Sequence, residues 1–196
     1  MKLRMPRRRL IAITLLVLLA GGAASVWAIH EREEVRHDFL AVAPGVLYRS
    51  RQPRPVDLQE NLQRLGIRTV VNLRGEFEDP PTFAEEKRLC ESLGAKMVFV
   101  VTSSPVPTDD ELERFLKIVR RNDGATLVHC ELGRARAGCM VGAYRVIVEG
   151  VRAKKAAEEA SRQGEFDSGT RRVVRNWLYQ LQGQRQKWLD RTQPER

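Results

Sequence analysis

Val128-His129-Cys130-Glu131-Leu132-Gly133-Arg134-Ala135-Arg136-Ala137-Gly138 is the stretch whose reading decides the fold. The apolar run Thr126-Leu127-Val128 leads into it, and a longer apolar stretch from Ala137 to Val148 leads out. The first has the length of a buried strand, the second that of a helix packed on a sheet. Between them a cysteine stands six positions before an arginine, with a glycine where the chain must turn tightly. A loop of this kind points successive backbone N–H groups into one concavity, and the helix behind it adds the positive end of its dipole. Such a field favours a thiolate over a thiol, which makes Cys130 a candidate nucleophile. Arg136 adds a planar fork of donors that matches two oxygens of one anion. The chemistry expected is phosphate recognition above a sulfur nucleophile. A core cysteine beside an unrelated surface arginine is the plainer alternative.

Outward from this segment the chain alternates. Strands are expected at 45–48, 68–73, 96–101 and 126–129. Helices are expected at 57–65, 81–93 and 108–121, then from 137, from 151 and over 170–190. Thr82-x-x-Glu85 and Thr108-x-x-Glu111 read as capping boxes that open two of them, and Gly66 and Gly94 read as stops. Strands separated by helices imply an α/β fold with a mostly parallel central sheet flanked by helices. Ligands in such folds bind at the carboxyl ends of strands, which is where Cys130 falls.

His129-Cys130-x-x-Gly133-x-x-Arg136 resembles the signature of the protein tyrosine and dual-specificity phosphatases. Val46-Leu47-Tyr48-Arg49-Ser50-Arg51-Gln52-Pro53, Leu65-Gly66-Ile67-Arg68-Thr69-Val70-Val71-Asn72-Leu73-Arg74 and Gly138-Cys139-Met140-Val141-Gly142-Ala143-Tyr144-Arg145 extend the match. Over residues 44–150 the chain is similar to the plant and fungal atypical dual-specificity phosphatases and their bacterial relatives. The resemblance implies a protein tyrosine phosphatase-like fold and hydrolysis of phosphate monoesters, in phosphoproteins (tyrosine or dual specificity) or in inositol phosphates. It implies that Cys130 attacks phosphorus and forms a cysteinyl-phosphate. Arg136 would bind the equatorial oxygens beside the amides of Glu131, Leu132, Gly133, Arg134, Ala135 and Arg136. His129 would orient the loop, or else be a satisfied core histidine. No metal or organic cofactor is implied, since thiolate, arginine and amides supply the charges needed.

Two positions depart from the family pattern. A serine or threonine usually follows the arginine and helps the thiolate leave; here the residue is Ala137. The family also places an aspartate on a separate loop to protonate the leaving oxygen. Asp110, with Asp109 beside it, is the candidate chosen here, yet Thr108-x-x-Glu111 makes both aspartates ordinary first-turn residues of a helix. Glu76, Glu78 and Asp79 form a second acidic set, for which a solvated loop is the plainer meaning. Ala137 and the acid keep a catalytically weak phosphate-binding module open as an alternative. A rhodanese-type sulfurtransferase is the other, disfavoured by the five residues between Cys130 and Arg136.

The ends of the chain read differently. Lys2, Arg4, Arg7, Arg8 and Arg9 precede the uncharged, apolar segment 10–29. Twenty residues at about 1.5 Å each reach about 30 Å, the thickness of a bilayer's hydrocarbon layer. The expectation is an N-terminal hydrophobic helix: a single-pass membrane anchor with an extracytoplasmic catalytic domain, or a cleaved signal peptide and a secreted or periplasmic product. Residues 30–43 then read as a charged tether, 44–190 as the catalytic domain and 191–196 as a tail. The net charge of +9 falls to +4 without the five N-terminal positives, too modest to argue nucleic-acid binding. Cys90, Cys130 and Cys139 do not make a disulfide framework, although Cys90 is a conceivable protecting partner for Cys130.

Overall fold

The computed structural model describes Gly21 and residues 39–194, except 103, 105, 122 and 163–166. The chain divides into two units, Met1–Asp38 and Phe39–Arg196. The second holds β1 (Phe39–Ala43), β2 (Leu47–Ser50), α1 (Pro55–Arg64), β3 (Ile67–Asn72), α2 (Pro80–Ser92) and β4 (Lys96–Phe99). It continues with α3 (Asp109–Arg121), β5 (Ala125–His129), α4 (Ala135–Ile147), α5 (Ala153–Arg162), α6 (Ser168–Gly183) and α7 (Arg185–Arg191). The five strands form one sheet in the order β1-β2-β5-β3-β4. β1 runs antiparallel to β2, and β2, β5, β3 and β4 are parallel. The expected α/β class with a mostly parallel sheet flanked by helices is what the chain forms.

β5 is central and every one of its residues is buried. Its side chains alternate between the two faces of the sheet. Ala125 and Leu127 pack with Leu58, Leu62 and Cys90 of α1 and α2 on one face. Val128 and Cys130 pack on the other with α3, α4 and the C-terminal helices. α3 buries Leu112, Phe115, Leu116 and Val119, the i, i+3, i+4, i+7 stripe of a helix lying on a sheet. α4 is buried from Ala137 through Tyr144, which is why its sequence is apolar all round. Gly142 faces α6, where a β-carbon would lie 3.4 Å from both methyls of Leu178, at van der Waals contact.

Several boundaries differ from the sequence reading. The sheet begins at Phe39, inside the segment read as tether, because 39–43 pairs with β2. α2 opens at Pro80 rather than at a Thr82 box. Asp79 caps it by accepting from the Thr82 amide at 3.3 Å, and proline, lacking an N–H, suits the first helical position. The helix expected over 170–190 is two, α6 and α7, meeting at Gln184. The membrane assignment is corrected: among the described residues no helix is long and apolar enough to cross a membrane. The segment 10–29 on which it rested, with its expected N-terminal hydrophobic helix, lies outside the described residues apart from Gly21.

Candidate active site

At the carboxyl end of β5 the chain enters the loop 130–134 and then α4, which starts at Ala135 and so carries Arg136 in its first turn. The positive end of this 13-residue helix therefore faces the loop that Cys130 opens. Cys130 is almost wholly buried, at 3% exposure. Gly133 sets the curvature of the loop, with φ at +66°. It also lies against the end of β2: a β-carbon would stand 2.5 Å from the Arg51 amide nitrogen and 2.7 Å from the Ser50 carbonyl oxygen. Only glycine meets both demands. The same junction is tied by the Gln52 N–H, which donates to the Glu131 carbonyl at 3.0 Å.

His129 faces the other side of the sheet, as strand alternation requires, and is fully buried. Its Nε2 lies 2.8 Å from Glu86 Oε1 on α2, close enough for an ion pair, although the ring is not aligned for a hydrogen bond. Glu86 Oε2 accepts from Asn72 Nδ2 at 3.0 Å and from Gln52 Nε2 at 3.1 Å. Burial pushes the Glu86 carboxyl up, but His129, Gln52 and Asn72 outweigh it and hold the group below the usual carboxylate range. Asn72 Oδ1 in turn accepts from the amides of Arg74 and Gly75, at 2.7 and 3.2 Å. That fixes the loop after β3.

This loop completes the site. Glu78 grips Arg136 with both oxygens, Oε1 on Nη1 and Oε2 on Nη2 at 3.2 Å. The Arg136 Nη1 also reaches the Leu73 and Thr102 carbonyls, at 3.3 and 3.4 Å. Arg74 donates to Glu78 Oε2 at 3.0 Å and to Gln52 Oε1 at 3.1 Å. Polar contacts thus run from His129 through Glu86, Gln52, Arg74 and Glu78 to Arg136, reaching both sides of Cys130. The Arg136 hydrogen bond, above all, draws the Glu78 carboxyl below its ordinary range; partial burial opposes it and Arg74 assists. Beside Glu78 and Thr102 opens a pocket of about 430 Å³ walled by Phe77, Phe83, Phe99 and Val101.

A second arginine lies under the loop. Arg49 of β2 is 4% exposed, and its Nη1 is 3.4 Å from where a β-carbon of Gly138 would be. Burial lowers its pKa, while the neighbouring Cys130 and Cys139 sulfurs act to raise it. Its guanidinium thus adds positive charge on the Cys130 side of the sheet.

The expected residues do not all meet. Asp110 sits in the first turn of α3, 92% exposed, with Oδ1 3.3 Å from Arg191 Nη2. None of its hydrogen bonds or ion pairs among the described residues reaches the 130–136 loop. The Thr108–Glu111 capping box is formed in both directions. Asp79 is occupied as the α2 cap, whereas Glu78 touches Arg136 directly. Cys90 is on the α1/α2 face and Cys130 on the other, all three cysteines are free, and the sulfur that shares Arg49 with Cys130 is Cys139. Burial pushes the Cys90 and Cys139 thiols up to about 12. Sequence reading passed over Glu86, Asn72, Gln52 and Arg49. The last three lie inside the quoted upstream segments. Glu86 had one faint signal, standing four residues before buried Cys90 on the same helix face.

A strand–loop–helix cradle of this form, on this sheet, defines a cysteine-dependent phosphatase. The chain belongs to the family described as Swiss Army Knife protein, DSP-PTPase phosphatase domain, whose model matches residues 36–181. It is 29% identical to the inositol diphosphatase DSP3 of Arabidopsis thaliana over 116 residues, covering 56% of this chain and 54% of the relative. A beta-lactamase hydrolase-like protein of Xylella fastidiosa is 28% identical over 120 residues, 60% of this chain and 27% of that one. The chain thus spans about a quarter of the Xylella relative and about half of the Arabidopsis one. Among solved structures, P. aeruginosa TpbA has a TM-score of 0.62 at 23% identity, covering 77% of this chain and 90% of TpbA. The catalytic core of the S. cerevisiae PP-IP phosphatase SIW14 has a TM-score of 0.58 at 20% identity, covering 78% of this chain and 94% of that core. Both structures share the fold.

Two outcomes follow from this geometry. Gly133→Ala should abolish vanadate binding, measured by calorimetry, while the protein still unfolds cooperatively; unchanged binding would show that the loop tolerates a side chain. Glu86→Ala leaves the side-chain amides of Asn72 and Gln52 without their acceptor and should destabilise the fold by about 1–3 kcal/mol in urea denaturation.

Proposed function

We propose that the chain hydrolyses phosphate monoesters through a cysteinyl-phosphate on Cys130, with aryl phosphates of the phosphotyrosine kind as its substrates. The observation that carries this reading is the buried Cys130 thiol at the start of the loop, with Arg136, in the first turn of α4, offering its guanidinium beside it. Phosphate would lie on the amides of residues 131–136, with two of its oxygens on Arg136 in place of Glu78. His129 would hold the loop through Glu86 and exchange no proton with substrate. Asp110 is the sequence's candidate for the acid, and its pairing with Arg191 would have to be given up for that role.

The substrate class rests on the walls beside the fork. Phe77, Phe83, Phe99 and Val101 present apolar surface to whatever the phosphate carries, which suits an aromatic ring and gains nothing from a hydroxylated one. A TpbA structure in complex with pTyr shares the fold at a TM-score of 0.58. Inositol phosphates are the second reading, favoured by the inositol diphosphatase relative and by Arg134, exposed in the loop, though Glu131 of the same loop is acidic.

In reductant, the protein should hydrolyse a phosphotyrosine peptide with a kcat/KM at least about tenfold above that for an inositol polyphosphate, and Cys130→Ser should lose both activities. The reverse preference would install the second reading. No turnover, with vanadate still bound, would favour a binding module. Ala137 is fully buried in the first turn of α4, and a hydroxyl there would help the thiolate leave. Ala137→Ser should therefore raise turnover wherever breakdown of the phosphoenzyme limits the rate; equal burst and steady-state rates in both proteins would contradict this.

A further inference from the structure

A phosphatase of this kind needs a proton donor for the leaving oxygen, and the carboxylate paired directly with Arg136 is Glu78. It lies on the loop between β3 and α2, with its side chain 37% exposed. Both of its oxygens are on the Arg136 fork, and Arg74 holds it from its own loop at 3.0 Å. Glu78 therefore competes with an incoming phosphate for the two Nη groups of Arg136.

We propose that Glu78 is the general acid and base of the reaction, parked on Arg136 until the substrate's phosphate displaces it. The assignment rests on the proposed function and deepens it. The displacement itself primes the group. In the resting site Arg136 and Arg74 keep the carboxylate ionised, with Cys130 and Glu131 acting on Arg136 from beneath and beside it. When phosphate takes the guanidinium, Glu78 loses its strongest positive partner and gains a dianion as neighbour. Both changes raise its affinity for a proton. The acid form is thereby made where substrate is bound and not elsewhere.

The two half-reactions balance. The Cys130 thiolate forms the S–P bond as the P–O bond breaks, and the Glu78 proton goes to the departing oxygen. The products are a neutral alcohol or phenol, the phosphocysteine and a Glu78 carboxylate. A water molecule then attacks phosphorus and gives one proton to Glu78. Phosphate leaves as its monohydrogen dianion while the S–P electron pair returns to the Cys130 thiolate; as Arg136 recaptures Glu78, the carboxyl gives back to solvent the proton it took up when substrate bound.

A leaving-group series on the full chain tests the assignment. For Glu78→Gln, turnover of phenyl phosphate, whose phenolate leaves poorly, should fall by on the order of 100-fold. Turnover of p-nitrophenyl phosphate, which needs little protonation, should fall far less. The limb of the wild-type profile that descends as pH rises should vanish in the variant, because it records loss of the acid form. That limb should also lie at higher pH in kcat, which reports the complex, than in kcat/KM, which reports the free enzyme. Vanadate should bind Glu78→Gln at least as tightly as wild type, since a competitor has been weakened. Equal losses for both esters, or loss of vanadate binding, would make Glu78 a support for Arg136 and overturn the assignment. A wild-type protein without Cys130-dependent hydrolysis would instead overturn the proposed function itself.

Discussion

One buried carboxylate holds this site together. Glu86 reaches across from α2 to the carboxyl ends of three neighbouring strands: His129 of β5, Asn72 of β3 and Gln52 just past β2. A carboxylate 4% exposed needs partners, and here Asn72 and Gln52 donate to one oxygen while His129 lies 2.8 Å from the other. Each partner then has a second duty. Asn72 pins the amides of Arg74 and Gly75, Gln52 ties its own backbone to the loop at Glu131, and His129 precedes Cys130. The interaction lies outside the 130–136 segment, yet the chain on both sides of that segment is set by it.

Electrostatics and packing act in one direction around Cys130. The end of α4, the loop amides, Arg136 and buried Arg49 all place positive potential near the sulfur, and the surroundings of an almost wholly buried thiol screen little of it. Gly133 leaves the space that the end of β2 requires. Local backbone, core packing and charge therefore agree at the loop. The excess positive field is met from outside by Glu78, whose grip on Arg136 makes the resting site a closed ion pair.

The sheet was readable because β5 and much of β3 are β-branched or apolar and stand near turn glycines, and α3 shows a clean apolar stripe. Cys130, Gly133 and Arg136 were readable because their spacing is local. What stayed hidden depends on contacts distant in sequence. Glu86 lies 43 positions before His129, and nothing in α2 distinguishes it from a solvated acid except its place on the Cys90 face. Phe39–Ala43 was read as tether because an antiparallel edge strand needs its partner β2 to be recognised. Asp110 was favoured for lying upstream of the loop, whereas the fold turns it towards Arg191 and brings Glu78 to the arginine.

The account stands on Cys130 carrying the phosphoryl group, and Ala137 should let that state accumulate. Acid quenching during turnover of an aryl phosphate, followed by mass analysis of the intact protein and its peptides, looks at it directly. The account predicts one added phosphoryl group, mapped to Cys130 and absent from Cys130→Ser. Turnover without an adduct on that cysteine, or with the phosphoryl group on another residue, would contradict it.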